Sequence, residues 1–355
     1  MKSPLTLLAG RTAFERIKAE GLSASLFETV VGASGGAKML ALTHLDRYIF
    51  GEFFSDTHHR VELVGSSIGT WRHVAAAAPD PVSALAALHE RYLNQWWDED
   101  DKRTATEIVD ELCSWVIDGF CTSDVAEHIC ETSRFRTHIV TARGRGLNSR
   151  PAGPLLGIGM ALSAAENFIN RGLLASGFQR VVFSSGESLA FNFQDFDTTH
   201  VPLTPTILKS ALLASGSIPF LMSGQKDIAD APKGHLWDGG IVDYHFDFAN
   251  FCGNGLVLYP HFTNEFIKGW FDKPLPWRRN TAGLLNQVLV LAPSAEYVQQ
   301  LPYGEIPDRK DFKRLARPER LRYWKTAMAA SQELGDAFAK VVNADEPARF
   351  LTCLD

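Results

Sequence analysis

The residues of this chain best suited to chemistry lie in the pentapeptide GSSIG at positions 65–69. It follows a short apolar run and precedes a helix-like stretch. A G-x-S-x-G sequence between a strand and a helix presents an exposed, strained serine for nucleophilic attack. Because the tight turn brings the strand and helix backbones together, it leaves no room for a Cβ at either glycine. We therefore predict that Ser67 is a nucleophile and that Gly65 and Gly69 form its turn.

A second loop of small residues, GASGGAK at positions 32–38, lies upstream between a strand and a helix. Such a loop can direct backbone N–H groups at an anion, helped by the positive end of the following helix dipole. It is not a phosphate-binding Walker loop, because Ala37 and Met39 replace the glycine and the Ser or Thr that flank its lysine, and it lacks the G-x-G-x-x-G spacing. The oxyanion hole of an acyl transfer needs only such N–H donors. A plain helix-entry turn is the alternative.

A serine hydroxyl is a poor nucleophile until a nearby base removes its proton. The candidate base is Asp238, which is followed by two glycines that leave space for its carboxylate to approach another loop. The alternative for this position is a plain Asp-Gly turn. Asp195, Asp197 and Asp243 lack the glycine flank, and we predict that they are surface or capping carboxylates.

Composition limits the classes of protein to which the chain can belong. Its 355 residues are 45% hydrophobic and 21% charged, as in a globular protein with a sizeable core. The net charge of -6 argues against nucleic-acid binding. Five cysteines without C-x-x-C spacing predict free thiols in a reducing compartment and no zinc site. With no signal-peptide core and no apolar window of about 20 residues, we expect a cytoplasmic protein. We also expect no metal and no other cofactor.

Strand-like apolar runs alternate with helix-like segments along the chain. The strands are predicted at 28–31, 61–64, 137–141, 181–184, 256–259 and 288–291, and the helices at 36–50, 70–78, 81–97, 106–130, 155–172 and 206–215. Several strands lack polar alternation, as expected for strands covered on both faces. The alternation predicts an α/β fold. Residues 1–260 are predicted to form a catalytic domain, and residues 261–355 an extension packed on it, irregular at first and then a helix at 318–342.

The glycine loop, the G-x-S-x-G sequence and the distant D-G-G stand in one order along the chain. This order resembles the patatin-like phospholipase family, whose motifs are D-G-G-G-x-R-G, G-x-S-x-G and D-G-[GA]. Residues 214–220, ASGSIPF, also resemble the A-S-x-A-I-P-x-F stretch of that family. The resemblance covers roughly residues 28–245. It implies a three-layer α/β/α fold with a mainly parallel central sheet. The last hundred or so residues lie outside the resemblance and are expected to add a C-terminal helical extension.

The resemblance implies a lipid acyl hydrolase with a Ser-Asp dyad and no histidine. Ser67 would be the nucleophile and Asp238 the general base, while Gly35 and Gly36 would donate N–H groups to the oxyanion. Lys38 stands where the family has Arg or Lys and would support the loop by its charge. The substrate would be a phospholipid, a lysophospholipid or another ester. We expect burial to raise the pKa of Asp238 above its usual value of about 4.

Two alternatives use the same residues differently. The first is a Ser-His-Asp esterase of the α/β-hydrolase type, in which His245 or His261 follows the aspartate in the order that this fold requires. The second is a catalytically inactive module for lipid binding or protein interaction. Ala33, Ser34 and Met39 motivate it, because they replace an Asp and two Gly of the family loop.

Other segments bear on contact with lipid. Basic residues cluster between Arg309 and Lys325 and could touch an anionic membrane, giving a peripheral membrane location, or they could form a solvated helix face. The apolar run at 153–165 could receive an acyl chain, but its pattern favours a buried core helix. The aromatic pairs at 96–97 and 191/193 are also predicted to fill core.

Overall fold

The computed structural model describes residues 3–98, 100–131, 134–186, 190–279 and 281–354. A mixed, mainly parallel sheet flanked by helices forms its centre, which confirms the predicted three-layer α/β class. The strands are β1 (Leu5–Gly10), β2 (Phe27–Gly32), β3 (Val61–Ser66), β4 (Phe135–Gly144), β5 (Phe178–Ser184), β6 (Thr198–Pro202), β7 (Gln225–Lys226), β8 (His235–Asp238), β9 (Leu256–Pro260), β10 (Val288–Pro293) and β11 (Thr352–Leu354). The helices are α1 (Arg11–Glu20), α2 (Thr43–Tyr48), α3 (Ile68–Ala76), α4 (Pro81–Leu93), α5 (Ala105–Ile117), α6 (Ser123–Glu131), α7 (Pro154–Ile169), α8 (Pro205–Gly216), α9 (Ala295–Gln300), α10 (Asp311–Arg314), α11 (Arg317–Ala330) and α12 (Gln332–Val342).

The sheet has the strand order β11-β1-β10-β9-β2-β3-β4-β5-β6, and the β7–β8 hairpin pairs with β4. The run from β10 through β9, β2 and β3 to β4 is parallel, whereas β1 is antiparallel to β10 and β5 is antiparallel to β4. Every residue of β3, β9 and β10 is buried, as expected for strands covered by helices on both faces.

Strand β4 brings distant parts of the chain together. Its first half pairs in parallel with β3, where Ser66 lies beside Val140. Its next residues pair in antiparallel fashion with β8, where Asp238 lies beside Thr141. Strands β3 and β8 therefore lie end to end along β4, and their carboxyl ends meet. Ser67, the residue after β3, and Asp238, the last residue of β8, become neighbours through this pairing.

The carboxyl ends of β2, β3 and β9 lie at the same edge of the sheet, because these strands are parallel neighbours. Ligands of open α/β sheets bind at this edge. The loop after β2 carries Gly35 and Gly36, the turn after β3 carries Ser67, and Phe262 follows β9. A Cβ at Gly35 would lie 2.5 Å from the ring of Phe262, so the loop packs closely against the end of β9.

All six predicted strands are present, as β2, β3, β4, β5, β9 and β10. The predicted helices exist but are more broken than their patterns indicated. Residues 36–50 form a 3-10 helix (Gly36–Leu42), α2 and a π-helix (Ile49–Phe53). Residues 106–130 divide into α5 and α6, and residues 318–342 divide into α11 and α12 at Ser331, whose hydroxyl caps the carbonyl oxygen of Met328.

Residues 261–355 are joined to the preceding residues through the sheet. Strand β10 lies between β1 and β9, and β11 pairs with the outer side of β1. The segment that we predicted to be a packed extension thus also supplies a central strand. The physical reason is the wholly apolar sequence VLVLAP of β10, which is buried at every position.

A buried ion pair anchors the helix that follows Ser67. The Arg72 guanidinium of α3 donates to both carboxylate oxygens of Asp46 in α2, at 2.6 and 2.5 Å. Both side chains are almost fully buried, and removing one partner of such a pair typically costs about 3–5 kcal/mol. Helix α3 is thereby anchored to α2. Across the described ranges, none of the helices combines the length and apolarity needed to cross a bilayer.

Candidate active site

Ser67 occupies a strained turn between β3 and α3. Its φ of 53° and ψ of −131° lie in a region that residues with side chains rarely adopt. A Cβ at Gly69 would lie 2.1 Å from the carbonyl oxygen of Gly32, and a Cβ at Gly65 would lie 2.9 Å from the backbone of Gly69. Glycine is therefore required at both flanks, because α3 approaches β2 and β3 this closely.

Ser67 and Asp238 are in direct contact. The Ser67 hydroxyl donates a hydrogen bond of 2.7 Å to Oδ2 of Asp238. The other carboxylate oxygen, Oδ1, accepts the N–H of Gly240 at 2.7 Å, and the backbone N–H of Asp238 donates to the carbonyl oxygen of Ser217 at 2.8 Å. These bonds fix the carboxylate with one oxygen toward the serine.

Burial changes the acidity of Asp238. It raises the pKa of this carboxyl group from 3.8 to about 6, while hydrogen bonds from Ser67 and Gly240 and the charges of Arg309 and Lys273 lower it by smaller amounts. Asp238 exposes 7% of its surface and Ser67 exposes 8%. The predicted direction of the pKa is confirmed. A carboxylate with this pKa is a stronger base than an exposed one and is still mostly ionised near neutral pH.

Ser215 supports the turn from behind. Its hydroxyl accepts the backbone N–H of Ser67 at 2.9 Å and donates to the carbonyl oxygen of Val140 at 2.7 Å. Ser217 lies two residues further on and accepts the N–H of Asp238 through its backbone. From the sequence, this stretch carries only a family resemblance, which predicts no contact for it. The available signal was the presence of small polar residues at the end of an apolar helix.

The glycine loop lies next to the serine turn. Its Ser34 hydroxyl contacts the Ser66 hydroxyl at 2.8 Å, and its Ser34 N–H donates to the carbonyl oxygen of Tyr244 at 2.9 Å. Gly36 has a φ of 57°, which is left-handed. Within the described ranges, the N–H groups of Gly35 and Gly36 have no protein acceptor. These donors are therefore available to a ligand.

Lys38 joins the glycine loop to the C-terminal part of the chain. Its ammonium group pairs with Asp308 and lies 5.9 Å from the ring centroid of Phe262. The residues after Asp308 fix its position, because its Oδ1 accepts the N–H of Lys310 and its own N–H donates to Asp311. Lys38 thus has the contacts that a loop-supporting residue needs.

Two cations that were not predicted to belong to the site also act on the dyad. Lys273 and Arg309 each lower the pKa of Asp238 through their charge. The Nζ atom of Lys273 lies 3.9 Å from the ring centroid of Tyr244. Arg309 was noted only as the start of the basic segment, and nothing in the sequence marks Lys273. Both lie beyond residue 260, so only the folded chain relates them to the site.

The predicted alternative bases have other partners. Nδ1 of His245 contacts the carbonyl oxygen of Glu265 and the N–H of Ile267, and Nδ1 of His261 contacts the backbone of Thr263. Burial lowers the pKa of both imidazoles, that of His261 to about 3. In the part of the chain that the structure describes, neither ring is hydrogen-bonded to Ser67 or Asp238.

One prediction about the remaining carboxylates is wrong. Asp243 is fully buried, with its carboxylate bound by the Arg180 guanidinium at 2.6 and 3.0 Å. Asp195 also binds Arg180, at 2.8 Å, whereas Asp197 is exposed and pairs with Arg145. Asp243 can be buried because a buried arginine neutralises it, which its sequence neighbours did not indicate.

Helix α7 is buried on only one side. Leu156 and Met160 are in the core, as predicted, but Leu155, Ile158 and Leu162 expose 52%, 51% and 55% of their surfaces. The exposed positions follow the helical repeat and form an apolar stripe. The prediction of a core helix therefore holds for one face.

Part of the basic segment is buried or paired within the protein. Arg320 is buried and donates to the carbonyl oxygen of Gln95. Arg314 pairs with Glu305 and Asp311, and Arg317 lies over the exposed ring of Trp96.

The pair Phe191 and Phe193 is buried, which confirms its predicted place in the core, whereas Trp96 is 36% exposed.

No family model matches the chain, and no curated protein matches it. The resemblance to the patatin-like phospholipases therefore rests on the four short motifs. All four meet around Ser67. The glycine loop contacts the serine turn through Ser34, residues 214–220 through Ser215, and the D-G-G motif through Asp238.

Proposed function

We propose that the protein is a serine acyl hydrolase that cleaves carboxylic esters of lipids, such as phospholipids or lysophospholipids. Ser67 is its nucleophile and Asp238 its general base. The observation that carries this proposal is the 2.7 Å hydrogen bond from a serine in a strained strand–helix turn to a buried carboxylate with a pKa of about 6.

In the first step, Oγ of Ser67 attacks the carbonyl carbon of the ester while its proton passes to Oδ2 of Asp238. The N–H groups of Gly35 and Gly36 donate to the resulting oxyanion. Losing one such donor typically costs about 3 kcal/mol of transition-state stabilisation. The tetrahedral intermediate then expels the alcohol, which takes the proton from Asp238, and an acyl ester remains on Ser67.

In the second step, a water molecule attacks the acyl carbon and gives a proton to Asp238. The second tetrahedral intermediate breaks the bond to Oγ, which regains the proton as the carboxylic acid leaves. Ser67 and Asp238 are both almost fully buried. This burial favours both steps, because electrostatic interactions are stronger where water is excluded.

Exposed apolar side chains around the site support a lipid substrate. Phe220, which follows the segment that supports the dyad, is 50% exposed and approaches α7 at Gly157. An apolar groove of about 240 Å³ lies further along α7 and is lined by Ala164, Phe168, Trp270, Phe271, Pro274 and Leu275. Clustered exposed apolar surface of this kind typically marks a site for an apolar ligand.

Labelling with a fluorophosphonate probe, together with hydrolysis of a panel of short-chain and lipid esters, tests the proposal. We expect the wild type to be labelled and active, and Ser67→Ala to lose both properties. Asp238→Asn should keep its fold but lose at least about a thousandfold in kcat, because the serine then lacks its base. Asp197→Asn, which removes an exposed carboxylate, is the matched control and should behave like the wild type.

Each outcome separates the proposal from one alternative. A wild type that is neither labelled nor active favours the inactive binding module. An enzyme that tolerates Asp238→Asn but loses activity on His245→Ala or His261→Ala favours the Ser-His-Asp esterase. Labelling that persists in Ser67→Ala contradicts the assignment of the nucleophile.

A further inference from the structure

Cationic side chains from the C-terminal part of the chain surround the dyad. Lys273 follows the 3-10 helix Trp270–Asp272, and Arg309 lies in the turn between Asp308 and Asp311. Their charges act on Asp238, and the charges of Lys38 and Arg309 also act on Lys273. These interactions define one cluster of positive charge beside the serine and its base.

Contacts of neighbouring residues place the cluster close to the glycine loop. The ammonium group of Lys273 stands 3.9 Å from the ring centroid of Tyr244, whose carbonyl oxygen accepts the N–H of Ser34 in the glycine loop. Arg309 acts electrostatically on Tyr92, and the Tyr92 hydroxyl lies 3.4 Å from the point where Gly36 would carry a Cβ. Lys273 is therefore one side chain away from the glycine loop, and Arg309 directly follows Asp308, which pairs with Lys38 of that loop.

Lys273 and Arg309 are exposed and have no ion-pair partner among the described residues. The third cation, Lys38, is already neutralised by Asp308. Asp238 is the remaining nearby anion, and it becomes neutral when it takes the proton of Ser67. Lys273 and Arg309 therefore leave an excess of positive charge near the dyad.

Resting on the function proposed above, we propose that Lys273 and Arg309 form a subsite for a phosphate group carried by the ester substrate. Arginine offers a planar fork that matches phosphate oxygens, and lysine offers a point charge, so the two together suit such a group. The segment that carries Lys273 also supplies Trp270, Phe271, Pro274 and Leu275 to the apolar groove. The preferred substrate is thus an amphiphile with an acyl chain and an anionic head.

The test compares two esters with the same short acyl chain, a 1-acylglycerol 3-phosphate and the matching 1-acylglycerol. We expect the wild type to prefer the phosphate ester in kcat/KM. Lys273→Gln and Arg309→Gln should each reduce kcat/KM for this ester by about tenfold, mainly through KM, because a hydrogen bond to a charged group is worth that much. Because the two cations also act on Asp238, each variant is judged by the ratio of kcat/KM for the phosphate ester to that for the neutral ester, which should fall several-fold, and inorganic phosphate should compete only with the phosphate ester.

The matched controls are Lys325→Gln and Arg322→Gln, which remove exposed cations of α11. They should leave both esters unaffected. Equal losses on the two esters, or no loss on the phosphate ester, would overturn the subsite.

The charge of Lys273 gives the subsite a pH dependence. Although part of the Lys273 side chain is exposed, its ammonium group is desolvated by the surrounding protein, and this effect, with the nearby Lys38 and Arg309, lowers the pKa of Lys273 to about 8, against the opposing effects of Asp238 and Asp308. Lysine is charged below its pKa, so the preference for the phosphate ester should decline as pH rises through about 8. Lys273→Arg should keep the preference at higher pH. A preference that falls equally in this variant would contradict the assignment.

Binding to the Ser67→Ala protein separates failure of the subsite from failure of the proposed function. Titration calorimetry should show tighter binding of the phosphate ester than of the neutral ester, and the difference should vanish when Lys273→Gln and Arg309→Gln are combined. If the wild type hydrolyses neither ester but this difference is found, the proposed function fails and the subsite stands. If Ser67→Ala binds both esters equally, the subsite is refuted, whatever the activity.

Discussion

At the scale of single residues, the site depends on one proton acceptor with an unusual environment. An exposed carboxylate has a pKa near 4 and is a weak base at neutral pH. Burial of Asp238 raises its pKa to about 6, and the hydrogen bonds from Ser67 and Gly240 keep the ionised form accessible. The same environment thus increases the basicity of the carboxylate and holds it in line with the serine.

This environment predicts the pH dependence of hydrolysis. The base must be ionised, so kcat/KM for a neutral ester should fall about tenfold per pH unit below about pH 6 and should level off above it. The measurement is a pH–rate profile of the wild type on a neutral ester, with Asp197→Asn as a control that should keep the same acid limb. An active enzyme whose profile lacks an ionisation near this pH would argue against Asp238 as the base.

At the scale of elements, two helices and two strands position the two side chains of the dyad. Strand β3 and helix α3 create the turn, strand β8 delivers the carboxylate, and the end of α8 holds both through Ser215 and Ser217. Ser215 connects the serine turn to the sheet, since its hydroxyl accepts the N–H of Ser67 and donates to the carbonyl oxygen of Val140 in β4.

Replacing the bridging serine should disturb catalysis more than folding. Ser215→Ala leaves the buried N–H of Ser67 and the carbonyl oxygen of Val140 without this partner, at a cost of about 1–3 kcal/mol. We expect kcat/KM to fall by about tenfold or more because the turn loses its support. Ser217→Ala is the matched control: its hydroxyl bonds only within the last turn of α8, to Leu213, and its backbone contact with Asp238 remains. A similar loss in both variants, measured by ester hydrolysis and thermal unfolding, would refute the specific role of Ser215.

At the scale of the whole molecule, the last hundred or so residues complete the sheet and reach the dyad. Strand β10 fills the position between β1 and β9, while Lys38 pairs with Asp308 of the same C-terminal part. The motifs that hold the proposed catalytic residues, upstream of residue 260, thus share a sheet with residues downstream of it and lie near their charges.

Truncation tests this arrangement. A chain that ends at residue 260 lacks β10, so β1 and β9 lose their shared partner along their full length. We expect this fragment to be insoluble or unfolded by circular dichroism. A chain that ends at residue 350 lacks only the edge strand β11 and should unfold within a few degrees of the full chain. A folded, active fragment of residues 1–260 would show that the predicted boundary is a true domain boundary.

The sequence predicted those elements whose signals are local. Strands β2, β3, β9 and β10 are continuous apolar runs, and both flanking glycines of Ser67 are visible in the chain. Strand β8 was not predicted, because its four residues contain too little periodicity to distinguish a strand from a turn. Asp243 was misjudged because its burial depends on Arg180, which is distant in sequence.

The sequence by itself determined the candidate nucleophile, its turn and the carboxylate most suited to act on it, because the residue types and the glycine spacing impose those properties locally. Only the tertiary structure decided that Ser67 and Asp238 touch, since their contact results from β3 and β8 meeting along β4. It alone also brought Lys273 and Arg309 to the dyad. Strand pairing and charge proximity act between residues far apart in the chain, and no local pattern encodes them.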